Sequence, residues 1–242
     1  MRRSRALLAG LAAAQVAYGL GRESRGVHPT RALVVLLLGA STSEALEARG
    51  ARRGAGAMAA AGALGFAAEL HGVATGRPFG DYSYSDRLGP RIGGVPVLAA
   101  AAWAMMARPA WVVAGLVDER RPVRIPLAAG ALTAWDVFLD PRMVADGYWS
   151  WPGGGRYEGI PATNFLGWWL TGLGVFTVWA AIDPDDAPLD DGDGALALYA
   201  WTWIGETFAN AVLWRRPVVA LAGGAAMGAF ASPALRRRLT RR

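Results

Sequence analysis

The chain contains no cysteine, no lysine and only two histidines among its 242 residues. Without cysteine it has no disulfide, no thiolate nucleophile and no cysteine-ligated cluster. Without lysine it cannot bind retinal or pyridoxal phosphate as a Schiff base, which excludes a rhodopsin. His28 and His71 do not supply the ligands for a haem held between helices or for a di-iron centre with several histidine boxes. We therefore expect neither a cofactor nor a metal.

Long apolar runs are what the chain has in abundance. Hydrophobic residues make up 53% of it, and runs of roughly 20 residues, the length that spans a bilayer, fill nearly the whole sequence. This pattern predicts an all-α, polytopic integral membrane helix bundle with about eight transmembrane helices, seven being the alternative. Residues 1–242 would form a single transmembrane domain. The helices are expected near residues 6–20, 31–48, 56–74, 94–117, 124–140, 164–182, 195–214 and 217–233.

The net charge of +6 comes from 25 basic residues, all of them arginine. Most lie in short loops between apolar runs or at the termini, as membrane orientation requires, so we expect a lipid bilayer as partner and no nucleic acid. Their distribution slightly favours cytoplasmic termini. The first 20 residues are similar to a signal peptide, but more apolar runs follow, so we interpret them as a retained first helix. The expected location is the cell membrane, with several passes.

Two loops, residues 71–95 and 141–163, are rich in glycine, proline and aromatic residues. Such a composition indicates ordered turns, not mobile linkers. Two predicted spans separate the loops, so both should emerge on the same face of the membrane.

Several carboxylates fall inside the apolar runs, where an ionisable group costs roughly 2.5–3.5 kcal/mol and by default indicates a functional site. Asp136 and Asp140 are four residues apart and share one helix face. Two such carboxyls in an apolar site favour retention of one proton, which a general acid needs. The alternative for Asp140 is a helix cap or an ion pair with Arg142. The intramembrane carboxylates and their polar companions are Glu44, Glu69, Asp136, Asp140, Glu206, Asn164 and Asn210.

Other residues allow structural interpretations. Glu44 can pair with Arg49, Arg52 or Arg53, whereas Arg108, central in its span, needs a carboxylate partner or a water-filled cavity. We expect interfacial positions for Trp111, Trp179 and Trp214. A further cluster of tryptophans near the second loop can also lie at the membrane interface, or it can line a site and stabilise a cation. It comprises Trp149, Trp151, Trp168 and Trp169.

Two blocks of motifs resemble the CruF-type carotenoid biosynthesis proteins. The first contains Glu69, Gly72, Thr75-Gly-Arg-Pro-Phe-Gly-Asp-Tyr, Leu88-Gly-Pro and Gly94-Val-Pro. The second contains Asp136, Leu139-Asp-Pro, Gly147-Tyr-Trp, Trp151, Tyr157 and Gly159-Ile-Pro-Ala-Thr-Asn-Phe-Leu-Gly-Trp-Trp. The resemblance covers about residues 66 to 170. It implies a carotenoid 1,2-hydratase, a hydro-lyase that adds water to the terminal C1–C2 double bond of an acyclic end group and leaves a tertiary alcohol.

The residues allow such chemistry without a cofactor. We hypothesise that Asp136 or Glu69 protonates C2 and that Asp140 or Asp81 orients the water and takes up its proton. The rings of Tyr82, Tyr84, Trp149 and Trp151 would shelter the cation at C1. The other residues predicted to bind substrate are Asn164, Phe165, Trp168 and Glu206.

Two other functions stay open at this point. Asp136 and Asp140 resemble the Mg²⁺–diphosphate aspartates of a membrane prenyltransferase of the same pathway, but Leu132 stands where that class has an asparagine. Alternatively, the chain is a non-enzymatic carotenoid carrier, or a scaffold associated with other membrane enzymes of the carotenoid pathway.

Overall fold

The computed structural model describes residues 3–21, 27–184 and 192–240. Within these ranges the chain forms seven helices, which confirms the all-α class. Four of them, α2, α3, α5 and α7, are long and apolar enough to cross a membrane; the predicted count of about eight spans is not confirmed. The helices are α1 (Arg3–Leu20), α2 (Val27–Thr75), α3 (Leu98–Val117), α4 (Arg121–Ala145), α5 (Ala162–Ile182), α6 (Asp193–Phe208) and α7 (Pro217–Thr240).

Helix α2 is interrupted at Gly50, whose backbone angles, φ 75° and ψ 168°, are not helical. Only glycine adopts this region readily, because a side chain would clash there. Just beyond, a Cβ added to Gly54 would lie 2.5 Å from the carbonyl oxygen of Ala45, so the backbones on the two sides of the interruption touch. The two helices predicted at 31–48 and 56–74 lie on either side of this glycine, inside α2.

Helix α3 lies at the centre of the bundle. From Trp103 to Leu116 every residue is buried, and α2, α4, α6 and α7 pack around it. Arg108, with no exposed surface, forms an ion pair with Glu44 of α2 at 2.8 Å between Nε and Oε2. The expected carboxylate partner of Arg108 is thus confirmed.

Glu44, for which a loop arginine was the alternative partner, pairs with Arg108. Arg49 binds Asp183 instead, at 2.5 Å, and Arg53 lies 3.6 Å from the same carboxylate. These arginines extend from the α2 interruption toward the end of α5, whereas Glu44 faces the interior and meets Arg108.

The expected interfacial position of Trp111 and Trp179 is also wrong, because both are at most 2% exposed. Trp111 stacks on Phe176 of α5, and the guanidinium of Arg124 lies 3.8 Å from the centre of the Trp111 ring. Trp214 is half-buried below Arg142, with 4.3 Å between the guanidinium and the ring centre. The rings of Trp111 and Trp179 thus pack inside the bundle.

The two glycine-rich loops meet at one end of the bundle. The first contains β1 (Ser83–Tyr84), a 3₁₀ turn (Asp86–Leu88), β2 (Arg91–Ile92) and β3 (Val95–Pro96), and the second contains β4 (Trp149–Ser150). Strand β1 pairs antiparallel with β4, Ser83 opposite Ser150 and Tyr84 opposite Trp149. Strands β2 and β3 form a separate hairpin. Both loops thus lie at the same end of the bundle, as the prediction of a shared membrane face requires.

Candidate active site

A cavity of about 500 Å³ lies inside the bundle, and its walls are mainly apolar and aromatic. Helices α1 to α6 and both loops contribute to it. It contains most of the predicted site residues, and three of these carry carboxylates. The predicted residues that line it are Glu69, Tyr82, Tyr84, Asp140, Trp149, Trp151, Asn164, Trp168 and Glu206.

Glu69, near the end of α2, is buried and accepts hydrogen bonds from three neutral donors. The hydroxyls of Tyr82 and Tyr84 both donate to its Oε2, the latter at 2.8 Å. Trp103 Nε1 donates to Oε1 at 3.0 Å. Gly72 makes room for this arrangement, since a Cβ there would lie 2.9 Å from the Tyr82 hydroxyl. Both oxygens of the carboxylate are therefore fixed in position.

The two tyrosines that bind Glu69 belong to the first loop. Burial raises the pKa of the Tyr84 phenol well above its usual value, and the charge of Glu69 raises it further. The same two causes, in the same order, raise the pKa of Tyr82. Both phenols therefore keep their protons at neutral pH and stay hydrogen-bond donors to Glu69.

Asp136 and Asp140 share one amide. Asn164 Nδ2 donates to Asp136 Oδ2 at 3.0 Å and also to Asp140 Oδ2, and Trp149 Nε1 donates to Asp140 Oδ1 at 3.0 Å. Asp140 lines the cavity, while Asp136, with no exposed surface, lies behind it. The alternative pairing of Asp140 with Arg142 is wrong, because Arg142 pairs with Asp146 at 2.8 Å.

The β1–β4 pair connects Glu69 and Asp140, two of the three acids that line the cavity. Its register sets Tyr84, a donor to Glu69, opposite Trp149, the donor to Asp140. The two rings meet edge to face with 5.5 Å between their centres. One short strand pair thus fixes the donors of both acids relative to each other.

Stacked aromatic rings form the walls next to the acids. Trp103 and Trp168 stack with 4.0 Å between ring centres and 15° between planes. Tyr82 stacks on Trp151 at 5.7 Å, and Trp151 Nε1 donates to the Phe79 carbonyl oxygen at 3.0 Å. These rings present flat apolar faces near the carboxylates.

Besides Asp136, two predicted residues do not line the cavity. Asp81 is exposed and does not line the cavity, although its neighbour Tyr82 does. Phe165 packs edge to face on Tyr157, 5.8 Å between ring centres, and also does not line it. Glu206 lines the cavity from α6 and accepts a hydrogen bond of 3.3 Å from Asn210.

Sequence reasoning missed two residues of the site. Trp103 donates to Glu69, yet it stands in a run of alanine and methionine that does not distinguish it from a packing residue. Arg142 lines the cavity and donates to the Tyr18 hydroxyl at 3.1 Å. Its closeness to Asp140 in sequence suggested only an ion pair with that residue.

Comparison with known proteins gives two matches. The family described as carotenoid biosynthesis protein matches residues 30–230. The bisanhydrobacterioruberin hydratase of Haloarcula japonica is 32% identical over 126 residues, which make up 50% of this chain and 43% of that protein. The match thus spans less than half the length of this curated relative. No solved structure matches the chain.

Proposed function

Because this chain belongs to the CruF-type family of carotenoid biosynthesis proteins, we propose that it is a multi-pass enzyme of the cell membrane that hydrates the terminal C1–C2 double bond of an acyclic carotenoid end group. One observation carries the proposal: two acids held by defined donors, Glu69 and Asp140, line a cavity whose walls are otherwise mainly apolar and aromatic. A hydrocarbon end group fits such walls, and acids provide what an alkene needs to react.

Hydration of this double bond adds a proton to C2 and a hydroxyl group to C1. The π electrons of the alkene form the new C2–H bond and leave a tertiary cation at C1. Water then attacks C1 and loses a proton to a base, so the net change is the addition of one water molecule. The protein must supply an acid, a base and a surface that tolerates the cation.

Asp140 is our choice for the acid, with Asp136 as its proton reservoir. Neighbouring carboxyls in a desolvated site do not both ionise cheaply, so the pair holds one proton. Asp136 Oδ1 meets no donor among the described residues, which fits a protonated carboxyl. Asp140 is the member of the pair that lines the cavity and can reach C2 of a bound end group.

Glu69 is our choice for the base. Its three donors hold both carboxyl oxygens in fixed positions beside the cavity. It would orient the water, take the proton released at C1 and exchange it with the Asp136–Asp140 pair to reset the site. Asp81, the other candidate for this role, is exposed and outside the cavity.

The aromatic walls would stabilise the cation. A cation near the face of a tryptophan or tyrosine gains about 2 kcal/mol when the site is desolvated. Tyr82, Tyr84, Trp149 and Trp151 lie next to the acids and line the same cavity. Their rings also exclude excess water, which would take up the proton and so weaken the acid.

The test is to convert an acyclic carotene with purified protein in water enriched in heavy oxygen. The wild type should give a product heavier by one water that contains the heavy isotope. Asp140→Asn and Glu69→Gln should abolish it, because each removes one proton-transfer step while nearly preserving shape. Asp81→Asn, a matched exchange at an exposed position, should keep the activity.

Three outcomes would contradict the proposal. Full activity in both Asp140→Asn and Glu69→Gln would reject the assigned roles. Unchanged pigment that co-purifies with wild-type protein would favour a carrier. Mg²⁺-dependent turnover of a prenyl diphosphate would favour a prenyltransferase.

A further inference from the structure

The cavity reaches the outer surface of the bundle between two helices. Among the residues that line it, four are exposed, and the others are buried or half-buried. Val16 and Leu20, 48% and 68% exposed, belong to α1, and Ile204 and Phe208, 58% and 56% exposed, belong to α6. The opening thus has apolar edges and faces sideways from the bundle.

The two edges of this opening match each other. Val16 and Leu20 are four residues apart, as are Ile204 and Phe208, so each pair forms a ridge on one helix face. Trp201 Nε1 donates to Gln15 Oε1 at 2.7 Å and joins the two helices beside the ridges. At the other side, a Cβ added to Gly19 would lie 3.1 Å from Leu213 Cδ1. The seam, meaning the line along which α1 and α6 meet beside the opening, is therefore narrow and is held together by few contacts.

The wall next to the seam departs from α-helical geometry. Residues Ala209–Leu213, which continue α6, form a π-helical turn, and both Ala209 and Leu213 line the cavity. A π-turn inserts an extra residue into the helix and occurs frequently at functional sites. Here it shapes the wall of the cavity beside the opening.

A conjugated polyene is a stiff rod and cannot fold up inside a compartment. The cavity, about 500 Å³, falls within the range of roughly 300–1,000 Å³ that suits compact drug-sized ligands. With its end group at the acids, a carotenoid must send the rest of its chain through an opening. An apolar opening on the side of a membrane protein leads into lipid, where the substrate is dissolved.

We propose that the seam between α1 and α6 is a lateral portal, through which the polyene enters from the bilayer and in which its distal part remains during the reaction. The occupant is one molecule of the hydrocarbon substrate, so the inference rests on the proposed function for the identity of the ligand. Val16, Leu20, Ile204 and Phe208 contact the polyene in the portal and take no part in the proton transfers.

The test uses the absence of cysteine from the chain. Ile204→Cys and Phe208→Cys each introduce one thiol at the portal, and a bulky membrane-permeant maleimide then obstructs it. Leu221→Cys is the matched control, since Leu221 is an apolar residue of α7, 75% exposed and not part of the cavity lining. Each labelled protein is compared with the same variant before labelling, so a change reports the obstruction and not the substitution.

Two rates are measured in proteoliposomes mixed with vesicles that contain an acyclic 40-carbon carotene. The first is the quenching of tryptophan fluorescence by the polyene, measured in the Glu69→Gln background so that it reports binding alone. The second is product formation with Glu69 intact. Labelling at Ile204→Cys or Phe208→Cys should slow both rates several-fold, and labelling at Leu221→Cys should change neither.

The outcomes distinguish a failure of the portal proposal from a failure of the proposed reaction. Unchanged quenching rates after labelling at both portal positions would overturn the portal, even if product still forms. Slower quenching at those positions without any hydrated product from unlabelled protein would support the portal and overturn the hydratase assignment.

Discussion

The carboxylate of Glu69 accepts hydrogen bonds from three side chains, those of Tyr82, Tyr84 and Trp103. The two tyrosines come from the first loop and the tryptophan from α3, so the acid ties the loop to the bundle. Each donor removed from a buried charged acceptor costs about 1.5–3 kcal/mol. The donors therefore contribute to stability as well as to the chemistry proposed for Glu69.

Tyr84 should make the free energy of unfolding vary with pH in the alkaline range. Burial raises its pKa in the folded protein, whereas in the unfolded chain the phenol titrates near pH 10. Above that pH the unfolded chain loses the proton that the folded protein retains, so the free energy of unfolding falls as the pH rises. The melting temperature of the wild type in detergent should fall more steeply between about pH 9 and about pH 11 than that of Tyr84→Phe. Equal slopes would contradict this prediction.

The acids of the site were predictable from the sequence, but their donors were not. A carboxylate within an apolar run is costly, and this cost singled out Glu69, Asp136 and Asp140. A tryptophan in an apolar run has no such energetic cost, so the sequence does not single out Trp103. Asp81 stands inside a motif of the family resemblance, yet a loop motif does not say which side chains turn inward, and Asp81 is exposed.

Among the elements, α2 and α3 are joined by the buried Arg108–Glu44 pair. Removing one partner of a buried ion pair leaves the other charge buried without that partner, which costs about 3–5 kcal/mol. Arg108→Ala and Glu44→Ala should each lower the free energy of unfolding by that amount. The double variant Arg108→Met with Glu44→Leu should recover much of the lost free energy of unfolding, because it leaves no buried charge.

The control for this prediction is Arg120→Ala. Arg120 pairs with Asp118 on the surface, at 2.6 Å, and a solvent-exposed pair contributes little. Its loss should leave the unfolding curve in detergent nearly unchanged. If Arg120→Ala and Arg108→Ala destabilise equally, the Arg108–Glu44 pair does not contribute through its burial.

Gly50 lets the chain change direction within α2. Its φ of 75° with ψ of 168° is accessible to glycine, and alanine would be strained there by about 1–3 kcal/mol. Gly50→Ala should therefore lower the melting temperature. Gly39→Ala is the matched control: Gly39 is helical, and a Cβ there meets nothing within 4 Å, so a gain of about 0.5–1 kcal/mol is expected. Equal effects of the two variants would contradict the role of Gly50.

The positions of the helices follow from apolar runs, whereas the neighbours of each helix do not. Each predicted helix finds a counterpart in a helix or in part of α2, and Gly50 and Pro217 mark positions where the chain is interrupted. Trp111 and Trp179 were expected at the interface because tryptophan is common there. Both are instead buried, and Trp111 of α3 packs against Phe176 of α5 and Arg124 of α4, a packing that depends on which helices meet.

At the scale of the molecule, the two ends of the bundle differ in composition. One end carries the paired glycine-rich loops with β1 and β4. The other carries the Gly50 turn and the α3–α4 turn, where the ion pairs Arg49–Asp183 and Arg237–Glu119 lie. The two acids proposed to carry the reaction, Glu69 and Asp140, are close to the loop end.

The proposed multi-pass topology predicts opposite labelling of the two ends. Asp81→Cys and Gly153→Cys, both in the loops and exposed, should react with an impermeant maleimide from one side of sealed vesicles. Arg52→Cys and Glu119→Cys, exposed at the turns, should react only from the other side. Labelling of all four positions from a single side would contradict the proposed passage through the membrane.

The pairing of Tyr84 with Trp149 also sets the stage of synthesis at which the candidate site can become complete. Trp149 follows α4 in the chain, and Asn164, the amide shared by the two aspartates, follows later still. A nascent chain that has inserted only α1 to α3 holds Glu69 and its tyrosines without their counterpart. In the proposed mechanism such a half-made protein lacks the acid that works with the base, so we expect the emerging chain to be inactive until α5 has joined the bundle.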